Sequence, residues 1–258
     1  MLKAGVEKTD ITSTEFAAFM MEQLQDAIAE VYQRIFWFGD TGIVAGTSNN
    51  LAAGEVAFFN MIDGVFAQLF DIVTADSARL SSTGIATVNA GVSYAAQKFT
   101  AADVTNQVVS KALDTVWYEA DMRLRSVAKS DLVYYVTQTV ADQLEKERKA
   151  ISGIDMPYQR QENGMSGLTW NGITVQPIQL WDRMIASYFG DDATPVKSVL
   201  PHRVLLTSPT NLMLGVETVG SLGELDAWYS KDAEVMYAKY GASVDAKIGI
   251  NKMIQAAY

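Results

Sequence analysis

The residue types that carry most enzyme chemistry are sparse in this chain, and their scarcity bounds what it can do. There is one histidine, His202, set between Pro201 and Arg203, and there is no cysteine. Without a thiol there is no disulfide, no cysteine nucleophile and no cysteine-based zinc or iron–sulfur centre. A lone histidine does not build a zinc site, and no GxSxG context offers it a serine to activate, so His202 reads as a structural residue. Asp191 and Asp192 follow Gly190 and precede a proline-containing loop. A calcium site needs more oxygen ligands at regular intervals, so a turn or cap is the better reading. Asp71 and Asp76, in DIVTAD, are a carboxylate pair of the kind glycosidases use, but nothing in the sequence pins their separation.

Phosphate chemistry fares no better. Neither GxxxxGKS/T nor GxGxxG occurs, and Gly215, Gly220 and Gly223 have the wrong spacing and fit turns. The run Glu145, Lys146, Glu147, Arg148, Lys149 reads as a solvated helix end with partial i,i+4 compensation. Trp37, Trp117, Trp170, Trp181 and Trp228 are scattered one to an element, which suits core and interface anchors more than a platform for stacked bases. No catalytic, cofactor-binding or metal-binding residue is assigned, no cofactor is implied, and no enzyme activity is expected.

The chain has 258 residues, 49% hydrophobic and 19% charged, which is ample for a packed interior. Thirty acidic against twenty basic side chains give a net charge of -10. Such acidity argues against tight nucleic-acid binding, which needs Lys and Arg at the phosphates. It does not argue against enclosing nucleic acid, because a container gains from a wall that does not hold its cargo. No apolar run approaches the ~18–20 residues that span a bilayer. The segment MLKAGVEKTD lacks the apolar core of a signal peptide. A soluble protein without membrane contact is expected, and the lack of cysteine fits a reducing cytoplasm.

The elements that would position any site come in a distinct order. Thr12-Ser13-Thr14-Glu15 reads as a capping box. Behind it Phe16, Met20, Leu24, Ile28, Val31 and Ile35 repeat at helical spacing, predicting a long helix over about 13–37 that stops at Gly39. Leu24→Asp or Ile28→Asp on that stripe is expected to prevent soluble folding. After a Gly-, Ser- and Asn-rich loop (42–50), a second helix is predicted over about 54–70. Phe58, Ile62, Val65, Phe66 and Leu69 form its stripe, and Gly64 is its weak point. Residues 75–93 read as extended chain and turns. Thr100 and Asp103 cap a further long helix, carried by Val104, Val108, Ala112, Leu113, Val116, Ala120 and Leu124 to about Arg125.

From Ser130 the style changes. Leu132 to Val136 is β-branched and aromatic, a buried strand. A short helix follows with Thr139 and Asp142 at its start, then a flexible loop over 152–165. Leu168-Thr169-Trp170, Asn171-Gly172 and Ile173-Thr174-Val175 form a hairpin signal, since Asn-Gly supplies the two positive-φ positions. Arg203 to Thr207 reads as another buried strand. The last quarter alternates like sheet at Ala227, Tyr229, Val235, Tyr237, Val244, Ala246 and Ile248. Helices first and strands later make the class α+β, not a doubly wound fold.

In its segments WFGDTGI, MIDGVFAQLF, ADMRLR, LVYYVTQ, TVADQLEKER, LTWNGITVQPIQLWDRMI, PHRVLLTSPTNLMLG and ELDAWYSKDAEVMYAKYGASVDAKIGINKMIQAAY, in that order behind the early long helix, the chain resembles the major capsid proteins of tailed bacteriophages. Among these it looks most like the capsid proteins of crAss-like phages. The resemblance implies the phage capsid (Johnson) fold, shared with encapsulins. It has a spine helix in a peripheral domain (1–128), an axial domain (129–222), and returning strands of the peripheral domain (223–258). It further implies self-assembly into pentamers and hexamers of an icosahedral shell, a virion structural protein assembled in the host cytoplasm. Such a shell encloses double-stranded DNA without sequence-specific binding, and scaffolding, portal and decoration proteins are its possible partners.

Relatives carry an N-terminal arm and an extended loop before the spine helix, and here about a dozen residues precede it. Either the chain is a truncated or processed form, or lapping over neighbours falls to 42–50 or 75–93. Three other readings stand beside this one. An encapsulin-like compartment subunit has the same fold and a protein cargo. An enzyme without a recognisable motif would need a deep pocket of carboxylates with shifted pKa values. A tail-tube or decoration protein is commonly β-dominated, and the long helices count against it.

Overall fold

The structure, a computed structural model, describes residues 15–152, 167–191, 197–216, 225–230, 235–241 and 243–258. The capping box at Thr12 to Thr14, the loop at 153–166, Asp192, Gly220 and Gly223 lie outside the described residues. The first helix forms as its spacing predicts: α1 spans Glu15–Phe38, and the Gly39 N–H closes its last turn on the Ile35 carbonyl at 2.9 Å. Burial along it is uneven. Ile35, Trp37 and Phe38 are in the core, whereas Leu24, Ile28 and Val31 are only half-buried. The expectation that Asp at Leu24 or Ile28 abolishes folding is corrected accordingly, because neither side chain is sealed inside this chain.

The second helix starts later than its periodicity suggests. α2 spans Val65–Ala75, and a single 3-10 turn at Val56–Phe58 precedes it. Val65, Phe66 and Leu69 are buried as expected, but Phe58 is exposed. The reason is Gly64, which is the cap of α2 rather than its interior. Its N–H donates to the Gly39 carbonyl at 2.9 Å, and a Cβ on it would stand 2.6 Å from the Ile35 oxygen and 2.7 Å from that of Phe36. The end of α1 and the start of α2 thus touch backbone to backbone, which only glycine permits. Residues 75–93 are more ordered than the sequence suggests, holding a 3-10 turn at Ser77–Arg79 and a short helix, α3 (Ile85–Asn89).

The long helix expected to reach Arg125 is three helices: α4 (Ala101–Asn106), α5 (Val108–Glu119) and α6 (Met122–Arg125). The Asp103 carboxylate accepts from the Thr100 N–H and hydroxyl at 2.6 and 2.8 Å, as the capping pair predicts. The first break is at Gln107, which takes a left-handed conformation (φ 54°). The second is at Ala120 and Asp121, where the Asp121 carboxylate caps α6 by accepting from the Arg123 N–H at 2.9 Å.

Strands and helices then alternate: β1 (Val133–Val136), α7 (Gln138–Ser152), β2 (Thr169–Trp170), β3 (Ile173–Pro177), α8 (Gln179–Tyr188), β4 (Val204–Thr207), β5 (Leu212–Val216), β6 (Leu225–Ser230), β7 (Val235–Tyr240), β8 (Val244–Ile248) and β9 (Ile254–Ala257). The Asn171-Gly172 turn joins β2 and β3 with φ of 50° and 84°, as the hairpin signal requires. Five strands form one sheet in the order β2-β3-β1-β4-β9, with only β1 and β3 parallel among its neighbours. The chain therefore mixes helices and strands, with one β–α–β crossover through α7. β9 pairs with β4 from Val204↔Ala257 to Thr207↔Ile254, so the end of the chain joins the sheet built by 133–207.

Alternation along the strands divides the interior in two. Tyr134, Val136, Val204 and Leu206 point into an aliphatic cluster with α5 and α7. Tyr135, Leu205, Ile254 and Ala256 point the other way, into an aromatic cluster with Trp37 and Phe38 of α1, Phe66 of α2 and Trp181 of α8. Helices thus cover both faces of the sheet. The remaining strands form two separate two-stranded ribbons, β5 with β8 and β6 with β7.

Candidate functional site

The buried ionisable side chains His202, Glu147 and Arg203 are each engaged within the fold, whereas the Asn89 amide and the Trp181 indole N–H are buried without a hydrogen-bond partner among the described residues. His202, almost fully buried, lies 2.8 Å from the Thr139 hydroxyl through Nδ1, and its Nε2 meets the Gln97 carbonyl. Because a carbonyl only accepts, Nε2 carries the hydrogen in the neutral ring and Nδ1 accepts from Thr139. Burial lowers the His202 pKa, against the smaller opposing effects of the Gln97 carbonyl and Asp103. The Phe99 ring lies 4.3 Å away, centroid to centroid. Gln97 itself bonds the Ser198 backbone in both directions, at 2.6 and 3.0 Å, which fixes the loop that carries His202.

Glu147 is where the sequence misleads. The run Glu145 to Lys149 reads as a solvated end, yet Glu147 is fully buried. Its carboxylate accepts from the N–H groups of Val109 and Ser110 at 3.0 and 2.8 Å and from the Ser110 hydroxyl at 2.6 Å. It is thus the N-terminal cap of α5, supplied from another helix, where the dipole favours a negative charge. Asp182 of α8 does the same for α7, accepting from the Gln138 and Thr139 N–H groups at 2.6 and 3.4 Å. The start of α7 is therefore capped from outside, rather than by Thr139 and Asp142 as the sequence suggests. Burial raises the Asp182 pKa, and the hydrogen bonds from α7 oppose the rise.

Arg203 is a buried cation held by rings and carbonyls. Its guanidinium centre lies 4.4 Å from the Phe66 ring centroid and 5.5 Å from that of Phe38, and it donates to the Leu200 and Val199 carbonyls at 2.9 and 3.2 Å. Burial pulls its pKa down to about 9, with Tyr258 acting in the opposite sense. Asp71 is exposed, Asp76 caps the turn at 77–79 and pairs with Arg79 at 3.1 Å, and Asp191 pairs with Lys197 at 3.7 Å. Among the described residues no group of three or more His, Cys, Asp or Glu is placed to hold a metal ion, and no helix is long and apolar enough to cross a membrane.

What remains is surface. Phe19, Tyr118, Met122, Met213 and Leu214 are exposed, as are Val44 and Val92 on loops. The loop at 42–50 is folded on itself: Asn49 accepts from Gly46 and Leu51 and donates to the Val44 and Thr47 carbonyls. Residues 75–93 dock on the sheet, where the Ser81 N–H donates to the Ala256 carbonyl at 2.8 Å and Ile85 is buried. Both segments expected as lapping arms thus make their described contacts within this chain.

No family model matches the chain, and no curated protein matches it. Among solved structures it is similar to a chain of the satellite phage P4 procapsid that includes the size determination (Sid) protein. The TM-score is 0.49 at 11% identity, over 95% of this chain and 67% of that one.

Proposed function

We propose that the chain is a shell subunit, the major capsid protein of a tailed bacteriophage, with the Johnson fold and without enzyme activity. In this reading it assembles into pentamers and hexamers that tile an icosahedral shell around double-stranded DNA, in the host cytoplasm, as part of the virion. α1 is the spine helix, 129–222 the axial domain, and 1–128 with 223–258 the peripheral domain, β9 being shared with the axial sheet by pairing. The support from the residues is the ordered resemblance across the chain.

The observation that carries the reading is the contrast in burial along α1. Its apolar stripe is sealed at Ile35 but half-open at Leu24, Ile28 and Val31, and on the opposite face Phe19 is 54% exposed. A helix of 24 residues reaches about 35 Å, and an apolar stripe left open along it is completed by a neighbour. The β5–β8 ribbon points the same way: Ile248 packs it on the α2 side of the core, while Met213 and Leu214 on β5 stay exposed. The test is sedimentation and negative-stain electron microscopy of the purified chain. Closed shells, or rings of five- and six-fold symmetry, are expected; a chain that stays monomeric at every concentration overturns the reading.

A further inference from the structure

Two exposed patches of opposite character lie on opposite sides of the sheet. The first is at the junction of α5 and α6. Tyr118 and Met122 are 68% and 72% exposed beside Arg123 and Arg125. The Arg125 guanidinium lies 5.7 Å from the Trp117 ring centroid and 5.9 Å from that of Tyr118, and the Lys129 ammonium lies 5.1 Å from the Trp117 ring. Such contacts hold the cations in place before any partner arrives. Asp121 caps α6, stands 3.9 Å from the buried Arg79 and lies within Coulombic reach of Arg123 and Lys252. Arg123, Arg125 and Lys129, with Lys252 beside Asp121, are set against Asp121 and the exposed acids Glu119 and Asp131 of the same stretch. Tyr, Trp, Met and Arg are the residues enriched where proteins bind one another.

The second patch is on the outer half of α1. Phe19, Glu22, Gln23 and Asp26 are all exposed at spacings of three, one and three, which puts them on one helix face. Glu30 follows one turn on and is already paired with Arg183 of α8. From Phe16 to Gln33 the helix carries no basic residue. This patch is an apolar ring with two acids; the other is rings with cations.

We infer that the α5–α6 patch of one subunit receives the acidic outer face of α1 from a second copy of this chain. This rests on the shell-subunit reading and names one of its contacts. α5 and α6 pack on the aliphatic face of the sheet, and α1 packs on the aromatic face, so one chain cannot bring its own two patches together. A contact between different patches is head to tail, and repeats into rings or larger arrays instead of stopping at a dimer. In a chain of net charge -10 a local cationic patch also directs which surfaces meet.

The experiment uses two charge-reversed chains, R123E/R125E and E22K/D26K, with sedimentation as the readout and circular dichroism melting to confirm folding. Each variant alone is expected to need at least ~10-fold more protein to assemble than the parent. An equimolar mixture regains assembly in hexamers and other even-membered rings, where the two variants alternate and each reversed patch meets an opposite one, and the fourfold variant assembles by itself. Assembly of the parent weakens between ~0.05 M and ~0.5 M salt if the contact is made by these charges. Equal assembly of parent and R123E/R125E overturns this contact and leaves the shell reading standing. If R123E/R125E assembles normally but retains less DNA, the patch is a nucleic-acid surface and the inference also fails. A parent chain that never assembles overturns the shell reading itself.

Discussion

The central strands and the outer half of α1 use the same aliphatic residues and reach opposite states. Val204, Leu205 and Leu206 lie in the middle of the sheet with both faces covered, and each is essentially inaccessible. Leu24 and Ile28 occur at regular helical spacing and are left half-open. Periodicity tells which side of an element is apolar, but not whether the covering comes from the same chain. Burial within the chain is concentrated around the sheet, and the outer half of α1 is left open.

The largest expected effect breaks the centre. Ile35→Asp buries an unpaired carboxylate and should cost ~4 kcal/mol or more, comparable to the whole stability of many domains. Urea unfolding or loss of soluble protein would report it. Glu147→Ala is next: two backbone N–H groups and a hydroxyl lose their acceptor, for about 3 kcal/mol, while Glu147→Gln keeps one oxygen and should cost about 1 kcal/mol. At the periphery, Leu24→Asp or Ile28→Asp should lower subunit stability by only about 1 kcal/mol, because little area is sealed there. On the shell reading the same variants should nevertheless stop particle formation, so melting and sedimentation on one sample separate the two roles. A melting loss as large as that of Ile35→Asp would mean that α1 is closed within the subunit and that the comparison fails.

The smallest effect is a slope. His202 has a folded pKa below its unfolded value near 6.5, since burial disfavours the charged ring. Its neutral form therefore contributes stability that is complete above the unfolded pKa and is lost as pH falls through the folded one. Asp182, raised by burial, works in the opposite sense at lower pH, where protonation removes a charge the fold disfavours. Stability measured downward from pH 8 should begin to fall near the unfolded value for the parent, and His202→Gln should flatten that onset.

Much of the architecture was legible where the signal is local. The Asn171-Gly172 hairpin, the strands at Val133–Val136 and Val204–Thr207, and the Thr100–Asp103 cap depend on neighbours in sequence, and all form. What was hidden depends on distant partners. Gly64 looks like a flaw in a helix until Gly39 is brought against it. Glu147 looks solvated because its partners are backbone N–H groups at Val109 and Ser110, which no side-chain pattern displays. Gln107 breaks a helix in a left-handed conformation without the glycine or asparagine that usually announces one. The two surface patches were partly visible as residue types, but the sheet that separates them was needed to see that they cannot meet within one chain.

The carboxylate caps also have a mechanical meaning. Glu30 of α1 holds Arg183 of α8, Asp182 of α8 holds the start of α7, and Glu147 of α7 holds the start of α5. These links run in series from one side of the sheet to the other, and two of the three end on rigid helix backbone. A pull on α1 therefore has a polar route to α5 beside the packed contact of Trp37 on Trp181, and the exposed ion pair at its start is the link that yields first.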